Sequence, residues 1–122
     1  MSRESIRLEY EQLLAQVSTR AKEVKVFDQF LRKDTAWLTA PASTRFHLAY
    51  PGGLLEHSVN VAKTLLKLKK ILANDLDTES CIIVGLFHDL GKVGMPDTPY
   101  YLDNADSWQK RNRGMRYVVN TA

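Results

Sequence analysis

The chain is 122 residues long, 44% hydrophobic and 25% charged, which suffices for one core and excludes two. Its net charge of +3 permits an anionic partner without demanding one, and a lone cysteine, Cys81, inside an apolar run excludes a disulfide framework and any multi-cysteine zinc site. The charged opening MSRESIRLEYEQ has no apolar signal segment and no run approaches the ~20 residues of a membrane span, so the expectation is a cytoplasmic protein with no membrane partner.

Residues 3–33 read as one long amphipathic helix, capped by Ser2 or Ser5. Ile6, Tyr10, Leu13, Val17, Ala21, Val24 and Leu31 recur at steps that keep to one face of a 3.6-residue repeat. The periodicity is lost from Asp34 to Gly53, where TAPASTRFHLAYPGG, with two prolines and two glycines, predicts a loop of a length often functional in a small domain. Residues 54 to about 74 restore a helix, with Leu54, Val61, Leu65, Leu68 and Leu72 as its apolar stripe. ANDLDTES interrupts it, and Asp77 or Thr78 caps a third helix, ESCIIVGLFHDL, apolar nearly all round and therefore expected to be buried. Gly91 stands where that helix would stop, and KVGMPDTPYYLDNA predicts another loop. Asp106, three residues before Gln109, resembles a capping box that opens a basic C-terminal helix over 106–120. With no strand alternation, repeat or low-complexity tract, the predicted class is all-α: one domain over 1–122.

Three histidines carry the chemistry. His57 flanks the apolar stripe of its helix, between Leu54 and Val61. A buried imidazole needs a partner at each ring nitrogen, whether a hydrogen bond or a metal. His88 and Asp89 are adjacent, and adjacent helical residues point about 100° apart, so both can face one ion only near a helix end, which is where they lie. An unpaired aspartate there would cost several kcal/mol. Two readings supply the counter-charge. In one, Asp89 pairs with Lys92 or a backbone amide and His88 is a hydrogen-bonding cap. In the other, a divalent cation sits between them, and imidazole with carboxylate suits Mn, Fe, Zn, Ni or Co better than Ca.

The paired stretches FHLAYPGGLLEHSVNVAKTLLKL and IIVGLFHDLGKVG resemble the HD-domain superfamily of metal-dependent phosphohydrolases. The similarity is closest to its bacterial branch with H-x-A-Y-x-G-G-L-L-E-H-[ST] and H-D-L-G-K motifs, which includes 3′→5′ exoribonucleases. The likeness covers 44–94, and it implies an HD-like helical bundle. It also implies His57, His88 and Asp89 as ligands of a divalent ion (Mn, Fe, Ni, Co, Zn or Mg), with Asp89 and Lys92 acting at the reacting phosphate. Arg45 and His47 are expected to line the substrate mouth. The implied activity is hydrolysis of a phosphoester in a nucleotide, another phosphate-containing small molecule or a nucleic acid, with no organic cofactor.

The family's pattern ends in a further aspartate on a later helix. The aspartates that remain here, Asp97, Asp103 and Asp106, fall in or beside the loop after the motif. The chain therefore reads as the first part of a full HD domain, and two functional alternatives follow. One is a non-catalytic HD remnant that binds or oligomerises, since uncovered apolar helix faces would drive a homo-oligomer or a domain swap. The other is a nucleic-acid-binding surface on the tail, where Lys110, Arg111, Arg113 and Arg116 lie between Trp108 and Tyr117. A solvated helix face is the plainer reading of that tail.

Overall fold

A computed structural model of the chain describes residues 2–94 and 99–120. Five helices and one short hairpin follow in order: α1 (Arg3–Ala15), α2 (Ala21–Asp34), α3 (Gly53–Leu72), α4 (Thr78–Phe87), a 3-10 turn (Leu90–Lys92), β1 (Tyr101–Asp103), α5 (Ser107–Arg113) and β2 (Tyr117–Val119). The helical class expected from the pattern holds, with a two-stranded sheet added.

The predicted single helix over 3–33 is two helices. Unbroken, it would run about 46 Å, too long to fold over a small core. The chain turns at Gln16–Arg20 because a distant side chain satisfies the freed backbone there. The carboxylate of Glu79, on α4, accepts from the Thr19 amide at 3.2 Å and the Arg20 amide at 2.6 Å, while the Arg20 guanidinium reaches Asp77 and Ser80. Glu79 is only 5% exposed, so an anion buried at the start of α2 finds the two amides and the positive helix end it needs. The stripe on α1 behaves as expected: Ile6, Tyr10 and Leu13 are buried, joined by Val17 and Leu31, whereas Ala21 is exposed.

On α3 the buried face is Leu54, Leu55, Ser58, Val59 and Ala62, a shift from the predicted stripe. Leu68 and Leu72 are exposed, because nothing among the described residues covers the last turns of α3. Helix α4 likewise buries one face, Ile82, Gly85 and Leu86, and leaves Val84 exposed instead of being buried all round. The two helices touch closely at Gly85. A Cβ there would lie 2.5 Å from the Cα of Ala62, so only glycine and alanine let the backbones approach so far.

The caps follow the sequence. Ser2 accepts from the Ser5 amide, Asp77 from the Glu79 amide, and Asp106 from the Trp108 and Gln109 amides. The expected reciprocal half of the Asp106 capping box is replaced. Asn104 accepts from the Asp106 amide, and its own side-chain amide donates to Gln109 and to the Met115 carbonyl. Helix α5 stops at Arg113 instead of running to 120. Beyond it, Tyr117, Val118 and Val119, an aromatic and two β-branched residues, pair antiparallel with Asp103, Leu102 and Tyr101. The strand hydrogen-bonds back to the long loop, the Tyr117 amide donating to the Thr44 carbonyl at 3.2 Å.

Candidate metal centre

His57 stands in the second turn of α3, whose start is fixed by the Gly52–Gly53 pair. Gly52 is left-handed at φ +84°, and a Cβ on Gly53 would fall 2.0 Å from the Leu48 carbonyl oxygen. Across the Gly85–Ala62 contact, α4 ends at Phe87 with His88 as its C-cap. The backbone leaves helical geometry at Asp89 (φ −110°, ψ 25°) and enters the 3-10 turn. That departure lets adjacent side chains face one point. His57 Nε2 lies 3.5 Å from Asp89 Oδ2 and His88 Nε2 3.7 Å from the same oxygen. One donor atom from each of His57, His88 and Asp89 lies within 4.8 Å of the others.

The surroundings prepare these donors for a cation. His88 Nδ1 contacts the Gly85 carbonyl at 2.8 Å, and a carbonyl only accepts. The proton is therefore on Nδ1, and the Nε2 lone pair faces the cluster, as a metal-ligating histidine requires. Burial pushes the His57 imidazole below its ordinary value. Asp89 opposes that shift, while His88, His47 and Lys92 add to it. A neutral His57 offers Asp89 no charged partner, and the Nε2 atoms of two imidazoles converge with a carboxylate oxygen. Such a set of ligand atoms fits a divalent ion bound by two imidazoles and one carboxylate.

Lys92 supplies the nearest positive charge. Its Nζ lies 3.3 Å from Asp89 Oδ2 and donates to the Ala42 carbonyl at 2.8 Å. The Asp89–Lys92 pair foreseen as one alternative therefore exists, beside the two imidazole Nε2 atoms. The His47 ring meets the edge of His57 with centroids 5.4 Å apart, so His47 joins the group. Arg45 does not reach the cluster and packs its guanidinium on Phe46, 4.5 Å from the ring centroid. Ala42, Ser43, Phe46, His47, His57 and Lys92 line a cleft of about 210 Å³ beside the donors. Phe46 was not singled out from the sequence. The signal was an aromatic between Arg45 and His47 in a Pro/Gly-rich loop.

The three later aspartates give no fourth donor among the described residues. Asp97 lies outside them. Asp103 sits in β1, lining a separate cleft with Lys92 and Tyr101, and Asp106 is committed to capping α5. In the basic tail, Arg113 lies over the exposed Trp108 and Arg116 over the buried Tyr117, whose ring packs near Tyr101. Tyr117 is thus an anchor of the hairpin, not an open stacking surface. No helix among the described residues is long and apolar enough to cross a membrane.

Comparison with known proteins agrees with this geometry. The sequence profile of the HD domain matches residues 54–115, a span that contains His57, His88, Asp89 and Lys92. The dihydroneopterin 2′,3′-cyclic phosphate phosphodiesterase of Methanocaldococcus jannaschii is 37% identical over 57 residues, which are 43% of this chain and 23% of that protein. The chain thus aligns with about a quarter of that curated relative's length. No solved structure matches it. With the profile spanning half of its residues, and the residues of the paired motifs meeting at the junction of α3 and α4, the chain belongs to the HD domain family.

Proposed function

We propose that this domain is a metal-dependent phosphohydrolase acting on a nucleotide or nucleic-acid phosphoester. The observation that carries the reading is the convergence of His57 Nε2, His88 Nε2 and Asp89 Oδ2, with Lys92 Nζ at their edge. His57, His88 and Asp89 would hold one divalent ion, from Mn, Fe, Ni, Co, Zn or Mg. When bound, such an ion supplies Lewis acidity toward a phosphoryl oxygen and lowers the pKa of water.

The chain's own residues do the rest. The Gly85 carbonyl holds the His88 proton on Nδ1 and so keeps Nε2 available. The Ala42 carbonyl holds the Lys92 ammonium at the rim, where it offsets charge on a phosphoryl oxygen. His47, on the loop before α3, lines the cleft, and Arg45, held on the Phe46 ring beside it, favours an anionic substrate. The relative named above as a cyclic phosphate phosphodiesterase supports the phosphodiester class, and the exoribonuclease-like motifs support a nucleotide leaving group.

The test is hydrolysis of bis(p-nitrophenyl) phosphate and of a nucleoside 2′,3′-cyclic phosphate with and without added Mn²⁺. The reading requires turnover that chelator removes, that metal restores, and that Asp89→Ala abolishes. Chelator-insensitive turnover, or turnover that survives Asp89→Ala, contradicts it.

A second reading, a non-catalytic HD module that oligomerises or binds a partner, is favoured by two observations among the described residues: the donor set stops at three, and Leu68, Ile71, Leu72 and Leu76 are exposed at the end of α3. It requires a dimer or larger in sedimentation, dissociated by Ile71→Glu with Leu72→Glu. A monomer across the concentration range contradicts its oligomerising form.

A further inference from the structure

The loop that precedes α3 presents an aromatic ring for which the fold has no use. Phe46 is 72% exposed, which withholds from the core a side chain that burial would reward. The exposure does not come from a loose loop. The Ala42 amide donates to the Leu48 carbonyl at 3.1 Å and closes the loop at its base, and the Ser43 hydroxyl donates to the His47 carbonyl at 3.0 Å across it. The Tyr117 amide of β2 holds Thr44 from the other side. Leu48 closes the turn at φ +55°, a left-handed conformation that a non-glycine residue adopts only when its surroundings hold it there. Phe46 is thus displayed from a tied loop, with Arg45 stacked on its ring and the cleft containing His57 and Lys92 beside it.

We propose that Phe46 is the platform on which the base of a nucleotide stacks while its phosphoryl group meets Lys92 and the His57–His88–Asp89 donors. The inference rests on the phosphohydrolase reading and narrows its substrate to an ester bearing a planar heterocycle. The cleft of 210 Å³ has the volume of about seven waters in the liquid, the scale of one planar ring system and not of an oligonucleotide. Base–aromatic stacking is tolerant of base identity because every base has a π face, so the platform selects nucleotides as a class. Arg45 on the ring adds a cation to the stack, which suits an electron-rich base carrying an anionic phosphate.

The experiment is calorimetric binding of adenosine 5′-monophosphate and of ribose 5-phosphate, in which a hydroxyl replaces the base, to the metal-loaded chain. The wild type is expected to bind the nucleotide about tenfold more tightly, within the range of one base–aromatic stack. Phe46→Ala should bring the nucleotide down to the ribose phosphate and leave the latter unchanged. Phe46→Trp should keep the preference, whereas Phe46→Leu, equally apolar but without a π face, should lose it. Metal-dependent binding of both ligands with equal affinity overturns the platform and leaves the phosphohydrolase reading standing. Equal loss of both ligands in Phe46→Ala overturns it too, because the ring would then act on the loop. Binding of neither ligand by the wild type overturns both proposals.

Discussion

Two polar clusters, each built around an aspartate, occupy this fold, and they are satisfied in opposite ways. At the junction of α1 and α2, Asp28 accepts from the Tyr10 hydroxyl and from Arg32 Nε at 3.0 Å, and the Tyr10 oxygen accepts from Trp37 Nε1 at 3.1 Å. Tyr10 and Trp37 are wholly buried, and burial with the Asp28 hydrogen bond holds the Tyr10 hydroxyl far above its ordinary pKa, so it stays a donor. Each donor there has an acceptor. At the junction of α3 and α4, Asp89 is joined by two imidazole Nε2 atoms and one lysine, half-open to solvent. Closed matching makes the first cluster a structural bolt. The second brings three groups that could hold a metal ion within 4.8 Å of one another, and a site of this kind is recognised by how its ligand atoms converge more than by its residue types.

If that contrast is right, damage to the first cluster costs stability and damage to the second costs ligand binding. The largest effect is expected from Trp37→Ala, which removes a fully buried ring packed against Tyr10 and Phe87. A loss of about 3–5 kcal/mol in urea unfolding is the scale for such a truncation, and a loss under about 1 kcal/mol would break the comparison. Gly85→Ala comes next. Its methyl would press on the Ala62 backbone and part α3 from α4, at about 1–3 kcal/mol. Because those helices carry His57 and His88, the same variant should bind Mn²⁺ more weakly, measured by titration at a temperature where it is folded.

His88→Ala and Asp89→Ala are the reverse case. Both side chains are a quarter or more exposed, so the expected change in unfolding free energy is within about 1 kcal/mol. A loss comparable to that of Trp37→Ala would mean that the second cluster is another bolt. The smallest effect concerns pH. The Asp77 carboxyl is held below its ordinary value, first by the Ser80 hydroxyl and then by the Glu79 amide and Arg20. A depressed carboxyl stabilises the fold above its unfolded pKa, and that contribution is lost as pH falls through the folded one. Asp77→Asn should therefore flatten the acid limb of a stability–pH curve, with its small loss of stability present near neutrality and vanishing at low pH.

What the sequence made legible was the local and the paired. The apolar pattern located α3 and α4 and took α1 and α2 as one helix, and the rule that adjacent residues share a ligand only at a helix end placed His88 and Asp89 where the backbone does turn. The break at Gln16–Arg20 was illegible because its cause, Glu79, lies some 60 residues away along the chain. The exposed end of α3 was misread because periodicity reports an apolar face without saying what covers it. The hairpin was hidden for a related reason. Three residues on each side are too few for an alternation to stand out, and Asn104 ties the turn through contacts that only the folded chain brings together. Phe46 was passed over since an aromatic in a loop reads as a stray core residue until its exposure is known.

The central claim is that the three converging donors hold one divalent ion. Calorimetric titration of the chelator-stripped chain with Mn²⁺, repeated on His57→Ala, His88→Ala and Asp89→Ala, tests it most directly. The account predicts one ion per chain, with binding lost in each variant while the unfolding midpoint stays close to that of the wild type. Failure of the wild type to bind, or binding that persists in all three variants, would contradict it.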